Sequence, residues 1–335
     1  MKKVLVIVVT YNGKPWLSRC LSSVSLPSGK SAQNPDGGAK IGVLSGKSAQ
    51  NPDGGVKVDM FVVDNDSTDG SADYVKSCFP AAKLVRSAEN LGFSKANNLG
   101  MQYALDHGHD YVYLLNQDAW LAPGALETLV AAAEQHPEYA VLSPLQMTDG
   151  YKEFDKQFAK LVPEDIQFRK QYHPRFRGRG PFMGGAGPAG VSGTVYPSGP
   201  LEVKRVMAAH WLVPVGALRQ IGLFNEDLFP FYGQDDNWCH RARYRGYKIG
   251  IVPNARAVHD RALRQESKDK LIFRNYYTGS LVRLANPNVP MWLSYLYVLA
   301  FTLVKAVKYL SPSVFTYFRR LHSHLPALRR LRRSA

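Results

Sequence analysis

Five stretches of the chain set oxygen- and nitrogen-bearing side chains where a ligand could use them. In "VVDNDSTDGS" an apolar run ends in Asp64, and Asp66, Ser67 and Thr68 follow. Those last three can cap a helix by accepting its free amide groups. Capping does not explain Asp64, a strand-end carboxylate suited to the imide of a uracil or thymine base or to a ribose hydroxyl. "LLNQDAW" sets Asp118 just beyond another apolar run, with Asn116 two residues earlier. One carboxylate there could bind Mg2+ or Mn2+ together with diphosphate oxygens, because such ions keep few protein ligands. In "FYGQDDNWCHRARYRGYKIG", Asp235 and Asp236 open a helix whose dipole they complement. The preceding Phe229, Phe231 and Tyr232 form an apolar wall that could raise a carboxyl pKa toward general-base use. "NLGFSKANNLGMQYAL" reads as a helix with Asn97 and Asn98 in its body, where asparagine is costly unless its amide is used or simply exposed. Gly92 would let backbone approach a phosphate closely. His259 closes "IVPNARAVH", the last strand-like run before the tail.

These residues need elements that bring them together. The runs "VLVIVVTYN", "VDMFVVDNDS" and "YVYLLNQD" end in Thr10, Tyr11 and Asn12, in Asp64, Asn65 and Asp66, and in Asn116 and Asp118. Apolar strands alternating with helical segments imply a parallel sheet covered on both faces. Ligands of such a sheet bind at the carboxyl ends of its strands, where these polar residues fall. The pattern weakens after Leu145 and returns with "VKRVMAAHWLVPVGALRQIGLF", which carries His210 and Trp211.

The eleven residues "SGKSAQNPDGG" occur at Ser28–Gly38 and again at Ser45–Gly55. Neither copy has the spacing of a phosphate-binding loop, and two polar units cannot stack as a solenoid. Turn-rich composition makes 28–55 a duplicated surface loop, placed at the edge opposite the ligand site. Residues 167–201 hold five Arg or Lys, no acid and a glycine-rich run, which suits a flexible loop, or a flap over the site.

With 335 residues, 45% hydrophobic and 11% aromatic, the chain is globular and long enough for a large α/β domain with an appendage. "MKKVLVIVV" imitates a signal peptide, but its short apolar run leads into "TYNG", so a buried first strand is expected. Cys20, Cys78 and Cys239 share no metal-ligand spacing and cannot all pair, which points to a reducing compartment. The net charge is +15, and residues 271–335 hold ten Lys or Arg and no Asp or Glu. That tail also contains "MWLSYLYVLAFTLV", fourteen residues against the ~20 of a membrane span, so an interfacial helix beside anionic lipid is expected. No nucleic-acid-binding module accompanies the basic tail.

Together "VVTYNG", "VVDNDSTDGS", "NLGFSKANNLG", "LLNQDAWL", "GLFNEDLFPFYGQDDNWCHRARYRGYKI" and "PNARAVH" resemble glycosyltransferase family 2, particularly its rhamnosyltransferase-like and galactofuranosyltransferase-like members, over about residues 3–262. The resemblance implies a GT-A fold, Rossmann-like with a mostly parallel sheet flanked by helices, over residues 1–265. A helical, basic, membrane-associating tail would occupy 266–335. It implies that Thr10, Asn12 and Asp64 line the nucleotide, to which the residues themselves add Tyr11, Asp66, Gly92, Asn97, Asn98 and Asn116 as candidates. It makes Asp118 the second carboxylate of an Asp-x-Asp metal motif, His259 a further ligand to Mg2+ or Mn2+, and Asp235 the base, with Asp236 its alternative. His210 and Trp211 fall where such enzymes contact the acceptor, or form a buried strand pair. The chain departs from the pattern at Asn116, at Gln234 where the family has Glu before the base, and at the duplicated loop.

The expected activity is inverting transfer of a sugar from a nucleoside diphosphate, dTDP-rhamnose or a UDP-sugar, to a hydroxyl of a lipid-linked or polysaccharide acceptor. The expected place is the cytoplasmic face of the cell membrane, peripherally bound. Two rivals are a membrane-tethered nucleotide-sugar-binding protein that lacks turnover and a basic nucleic-acid-binding protein, whose affinity would fall steeply with salt.

Overall fold

The computed structural model describes residues 1–25, 55–148, 151, 153–162, 199–260 and 267–335. Strand β1 (Lys2–Thr10) buries Val4 to Val8 without a break, as a strand does only when both faces are covered. It pairs in parallel with β2 (Val56–Asp64) and with β4 (Tyr111–Asn116), and β2 pairs in parallel with β3 (Lys83–Arg86). The register sets Thr10 opposite Asp64 and Val9 opposite Asn116, so three polar strand ends arrive at one edge. Helices α1 (Lys14–Ser22), α2 (Ser71–Cys78) and α3 (Gly92–Asp106) fall between successive strands.

Beyond β4 come β5 (Ala119–Leu121), α4 (Ala125–Gln135), β6 (Tyr139–Met147), β7 (Leu201–Val203), β8 (His210–Pro214), α5 (Val215–Ile221), α6 (Gln234–Tyr244) and β9 (Lys248–His259). The sheet runs β3-β2-β1-β4-β8-β6-β9-β5, with β7 also on β9. It is mixed: β6 and β9 are parallel, while β8 is antiparallel to β4 and β6, and β5 and β7 are antiparallel to β9. A five-residue strand such as β8 carries no local sign of its direction; that is set by its neighbours.

Alternate residues of β1 feed opposite cores, as the two-residue period of a strand requires. Leu5 and Ile7 join Phe61, Ala96, Met101 and Trp238 on the side of α3 and α6. Val4, Val6 and Val8 join Leu17, Leu21 and Leu129 on the side of α1 and α4.

The C-terminal helices make a third cluster. Helix α7 (Lys268–Ile272) passes through a π-helical turn, Phe273–Thr278, into α8 (Gly279–Ala285), followed by α9 (Met291–Tyr309), α10 (Ser313–Ser323) and α11 (Leu325–Arg333). Tyr276, Leu281, Val298, Leu321 and Leu328 pack with Leu228 and Phe229, just ahead of α6. Gly233 adopts φ +86°, and a Cβ there would lie 2.7 Å from Thr278 and Val282, so glycine permits this close approach. Arg332 on α11 donates to the carbonyls of Leu284, Asn286 and Val289, which fastens the α8–α9 link.

Helix α9 is longer than the fourteen-residue run suggested. Its 19 residues span about 28 Å at 1.5 Å per residue, and by length and composition it could cross a membrane. Its polarity is inverted: Ser294, Val298 and Thr302 face the protein, whereas Trp292, Leu296, Leu303 and Val307 are exposed. Tyr276 Oη and Thr302 Oγ1 share a hydrogen bond of 2.8 Å on the inner face.

Of the two segments expected as loops, 28–54 and 167–198 lie outside the described residues. At the boundary of the first, the Lys2 amide donates to Gly55 O at 3.2 Å, on the amino-terminal edge of the sheet. The three cysteines are free thiols; Cys20 and Cys239 are buried and Cys78 is exposed.

Candidate active site

The carboxyl ends of β1, β2 and β4 are tied together by side chains that cap backbone. Thr10 is fully buried and donates through Oγ1 to Gln117 Oε1 at 2.9 Å. The same oxygen accepts the Tyr11 amide at 2.8 Å, leaving the Tyr11 ring exposed. Asn12 takes a left-handed backbone, φ +49°, which asparagine tolerates better than most residues. Its Oδ1 accepts the Thr68 amide at 2.9 Å, and Ser67 Oγ accepts the Asn12 amide at 3.0 Å. Asp66, at φ +70°, forms the turn between them.

Asp64 stands at the centre of this edge. It is 4% exposed; Oδ2 accepts the Ser67 amide at 3.4 Å, and Oδ1 is buried with no hydrogen-bond partner. A buried acceptor left without a donor costs roughly 1–3 kcal/mol. The geometry therefore leaves one carboxylate oxygen for a donor that the protein does not supply.

Gly92 opens α3 at φ +79°, and a Cβ there would lie 2.8 Å from Pro230 O. The backbone that approaches Gly92 is thus the segment leading to α6, and the Ser94 amide also donates to Pro230 O at 3.0 Å. The two asparagines of α3 turn out to be engaged within the protein. Asn97 donates to Phe93 O at 2.8 Å. Asn98 donates to Phe224 O at 3.0 Å and to Glu226 Oε2 at 2.8 Å, and its Oδ1 accepts the Phe224 amide at 3.0 Å. Asn98 thereby holds the segment before α6 against α3.

Asp118 and His259 meet across the β5–β9 pair, in which Ala119 faces His259. Their Oδ1 and Nε2 lie 3.5 Å apart, and both residues are buried. A carboxylate beside an imidazole could hold Mn2+ when ligand oxygens complete the shell; for Mg2+, which prefers oxygen ligands, only the Asp118 carboxylate is a matched donor. Among the described residues no group of three His, Cys, Asp or Glu forms a fuller cluster. Asn116 ends β4, its amide donating to Ala209 O at 3.1 Å and its carbonyl accepting the Cys20 thiol at 3.4 Å.

The two acids at the start of α6 have different surroundings. Asp235 keeps some solvent contact, yet the protein packed around it pushes its pKa up to about 7, with the neighbouring Asp236 carboxylate adding to the effect of burial. Asp236 is held by Arg205, whose Nη1 donates to Oδ1 at 2.5 Å. One acid is therefore neutralised by a cation while the other is poised to take a proton near neutral pH.

His210 and Trp211 are placed in the sheet rather than on an acceptor surface. His210 is fully buried between Tyr113 Oη at 2.8 Å and Val258 O at 2.9 Å, and burial first of all lowers its pKa to about 3. Trp211 is 1% exposed, with its ring 5.5 Å from that of Trp238. Their neutral, interior position makes them the strand pair that was the alternative reading.

Residues 48–186 match the family model "Glycosyl transferase family 2". An N-acetylglucosaminyl-diphospho-decaprenol L-rhamnosyltransferase from Mycobacterium tuberculosis is 28% identical over 77% of this chain and 76% of its own length. The chain is thus similar, over these residues, to glycosyltransferase family 2. A galactofuranosyl glycosyltransferase of Leishmania donovani is 24% identical over 52% of this chain and 42% of its own. The fold resembles crystalline S. aureus TarS 1-349 in complex with UDP-GlcNAc, with TM-score 0.50 and 14% identity over 89% of this chain and 70% of that one. The mixed sheet and flanking helices are those of a GT-A glycosyltransferase.

The family match covers Asp64 and Asp118, while Asp235 and His259 lie beyond its last residue. Two further residues of the candidate site escape sequence reading. Gln117 looks like a spacer in "NQD" but joins Thr10 and Tyr11 across 106 to 107 positions. Arg205 precedes Asp236 by 31 positions in a stretch without a motif.

Proposed function

We propose that the chain is an inverting hexosyltransferase that takes a sugar from a nucleoside diphosphate, dTDP-rhamnose or a UDP-sugar, and passes it to a hydroxyl of a lipid-linked or cell-surface polysaccharide acceptor. The observation that carries this reading is the buried, unpartnered Oδ1 of Asp64 at the carboxyl edge of the sheet. An imide N–H or a ribose hydroxyl is the donor it lacks, and Thr10, Tyr11 and Asn12 border the same edge. Asp235 accepts the proton of the acceptor hydroxyl as that oxygen attacks the anomeric carbon and the bond to the diphosphate breaks. One displacement of this kind inverts the anomeric centre. Asp118 and His259 would hold a divalent cation, which supplies positive charge for the departing diphosphate.

The rhamnosyltransferase relative is named for a lipid-diphosphate acceptor, which supports a membrane-bound substrate here. Helix α9 fits that setting, since its outer face is apolar and its inner face is bound to the protein. A helix covered on one side by protein favours lying at the interface of the cytoplasmic leaflet over spanning it. The basic α11, with Arg329, Arg330 and Arg333 nearby, would be drawn to anionic headgroups.

Thermal stabilisation of the purified protein by UDP-GlcNAc, dTDP-rhamnose and UDP, each with and without Mn2+, tests the donor reading. Stabilisation by at least one nucleotide sugar, greater with Mn2+, is expected. Indifference to all of them would overturn it.

A further inference from the structure

A cleft of about 820 Å³ borders Asp236, walled by β7, α6 and α8. That volume lies within the range of small-ligand sites. Its charge is one-sided: among the described residues Lys160, Lys204, Arg205, Arg243 and Arg283 line it against Glu202 and Asp236. Both acids are already matched, Asp236 by Arg205 at 2.5 Å and Glu202 by Lys248 at 3.7 Å. Among the described residues Lys160, Lys204, Arg243 and Arg283 form no ion pair, so four cations remain for a ligand, Lys160 also donating to Gln157 Oε1 at 2.8 Å.

Arg205, Arg243 and Arg283 line the same cleft as His240. Burial lowers the pKa of His240, which also lines the cleft; Asp236 opposes this, and Arg243, Arg205 and Arg283 add to the lowering. Arg243 and Arg283, which line the cleft and form no ion pair among the described residues, offer guanidinium groups of the kind that phosphate oxygens match with paired, charge-assisted hydrogen bonds.

The cleft continues into an apolar surface. The Arg283 guanidinium lies 3.6 Å from the centre of the Tyr297 ring on α9, and Tyr297 is exposed. Val289, two residues before α9 begins, also lines the cleft. From there the exposed side chains of Trp292, Leu293, Leu296 and Leu303 extend along the helix. A cationic pocket joined to an apolar strip is complementary to an amphiphile with an anionic head.

We propose that this cleft receives the diphosphate of a lipid-diphosphate-linked acceptor, whose hydrocarbon chain follows the exposed face of α9. The inference rests on the glycosyltransferase reading and adds the chemistry and place of the acceptor head group. It also explains why the cleft borders Asp236: the acceptor sugar, next to the diphosphate, is brought beside Asp235.

Farnesyl diphosphate, farnesol and inorganic diphosphate are the probes, each titrated calorimetrically into the full chain with its donor site occupied by saturating UDP and Mn2+. Farnesyl diphosphate is expected to bind more tightly than either of the others. Arg243→Glu should weaken it by about tenfold or more, from the loss of charge-assisted hydrogen bonds, and leave UDP affinity unchanged. Arg243→Gln gives the same test with a milder change should the reversal impair folding. Equal affinity for farnesyl and inorganic diphosphate would overturn the lipid assignment, and farnesyl diphosphate binding indifferent to both variants would overturn the cleft. Failure of UDP to bind, with farnesyl diphosphate binding that still depends on Arg243, would sink the donor reading alone.

Discussion

Replacing Arg205 with glutamine removes the cation that holds Asp236 and keeps a side chain of similar length. Asp236 then stands as an unmatched negative charge beside Asp235, and Asp235 also loses the direct attraction of the guanidinium. Both changes favour the protonated form of Asp235. An opposite charge close to a carboxylate lowers its pKa by roughly 1–3 units, so losing it acts upward by a similar amount. The Arg205 side chain is 49% exposed, and solvent screening trims the effect to about one unit. A base works only when deprotonated, so turnover of the parent protein should fall as pH drops through about 7. In Arg205→Gln that acidic limb should move about one unit toward alkaline pH. The assay is kcat/KM for sugar transfer between pH 5.5 and 9. A limb that stays in place would refute the electrostatic coupling, and one that moves toward acid would reverse its sign.

Asp64→Ala removes the carboxylate offered to the nucleotide and should weaken UDP binding by about tenfold or more in calorimetry, with folding intact. Asn98→Ala strips hydrogen bonds from the Phe224 amide and carbonyl and should cost about 1–3 kcal/mol in denaturant unfolding, while the variant that still folds keeps its donor affinity. Exchanging Leu296, Leu303 and Val307 for serine on the outer face of α9 should release the protein from anionic vesicles in a sedimentation assay and leave transfer to a soluble acceptor mimic measurable.

The parallel half of the sheet was legible because β1 and β4 and the second half of β2 are buried on both faces and so read as apolar runs. Polar residues at their ends then had to lie at one edge, which is how Thr10, Asp64 and Asn116 came together. The antiparallel strands β5, β7 and β8 are three to five residues long, and their partners are distant in sequence. His210 misled for a related reason: a histidine in a strand looks available, and only the tertiary contacts with Tyr113 and Val258 show it enclosed. Asn98 was rightly singled out as costly in a helix, but its use is to fasten Phe224 and Glu226. Arg205 and Gln117 carry no local pattern at all, since their partners are set by packing across the sheet edge. The fourteen-residue apolar run understated α9 because Lys305 and Lys308 near its end interrupt the run without ending the helix.

The account turns on Asp235 as the proton acceptor, and the paired variants Asp235→Asn and Asp236→Asn test it most directly. Asparagine keeps the shape of each side chain but cannot take up a proton. Sugar transfer is measured with a nucleotide-sugar donor alongside calorimetric donor affinity. Asp235→Asn should lower turnover by at least ~10²-fold with donor affinity nearly unchanged, and Asp236→Asn should cost far less. Transfer abolished by Asp236→Asn but only mildly slowed by Asp235→Asn would contradict the assignment, as would turnover that neither substitution affects.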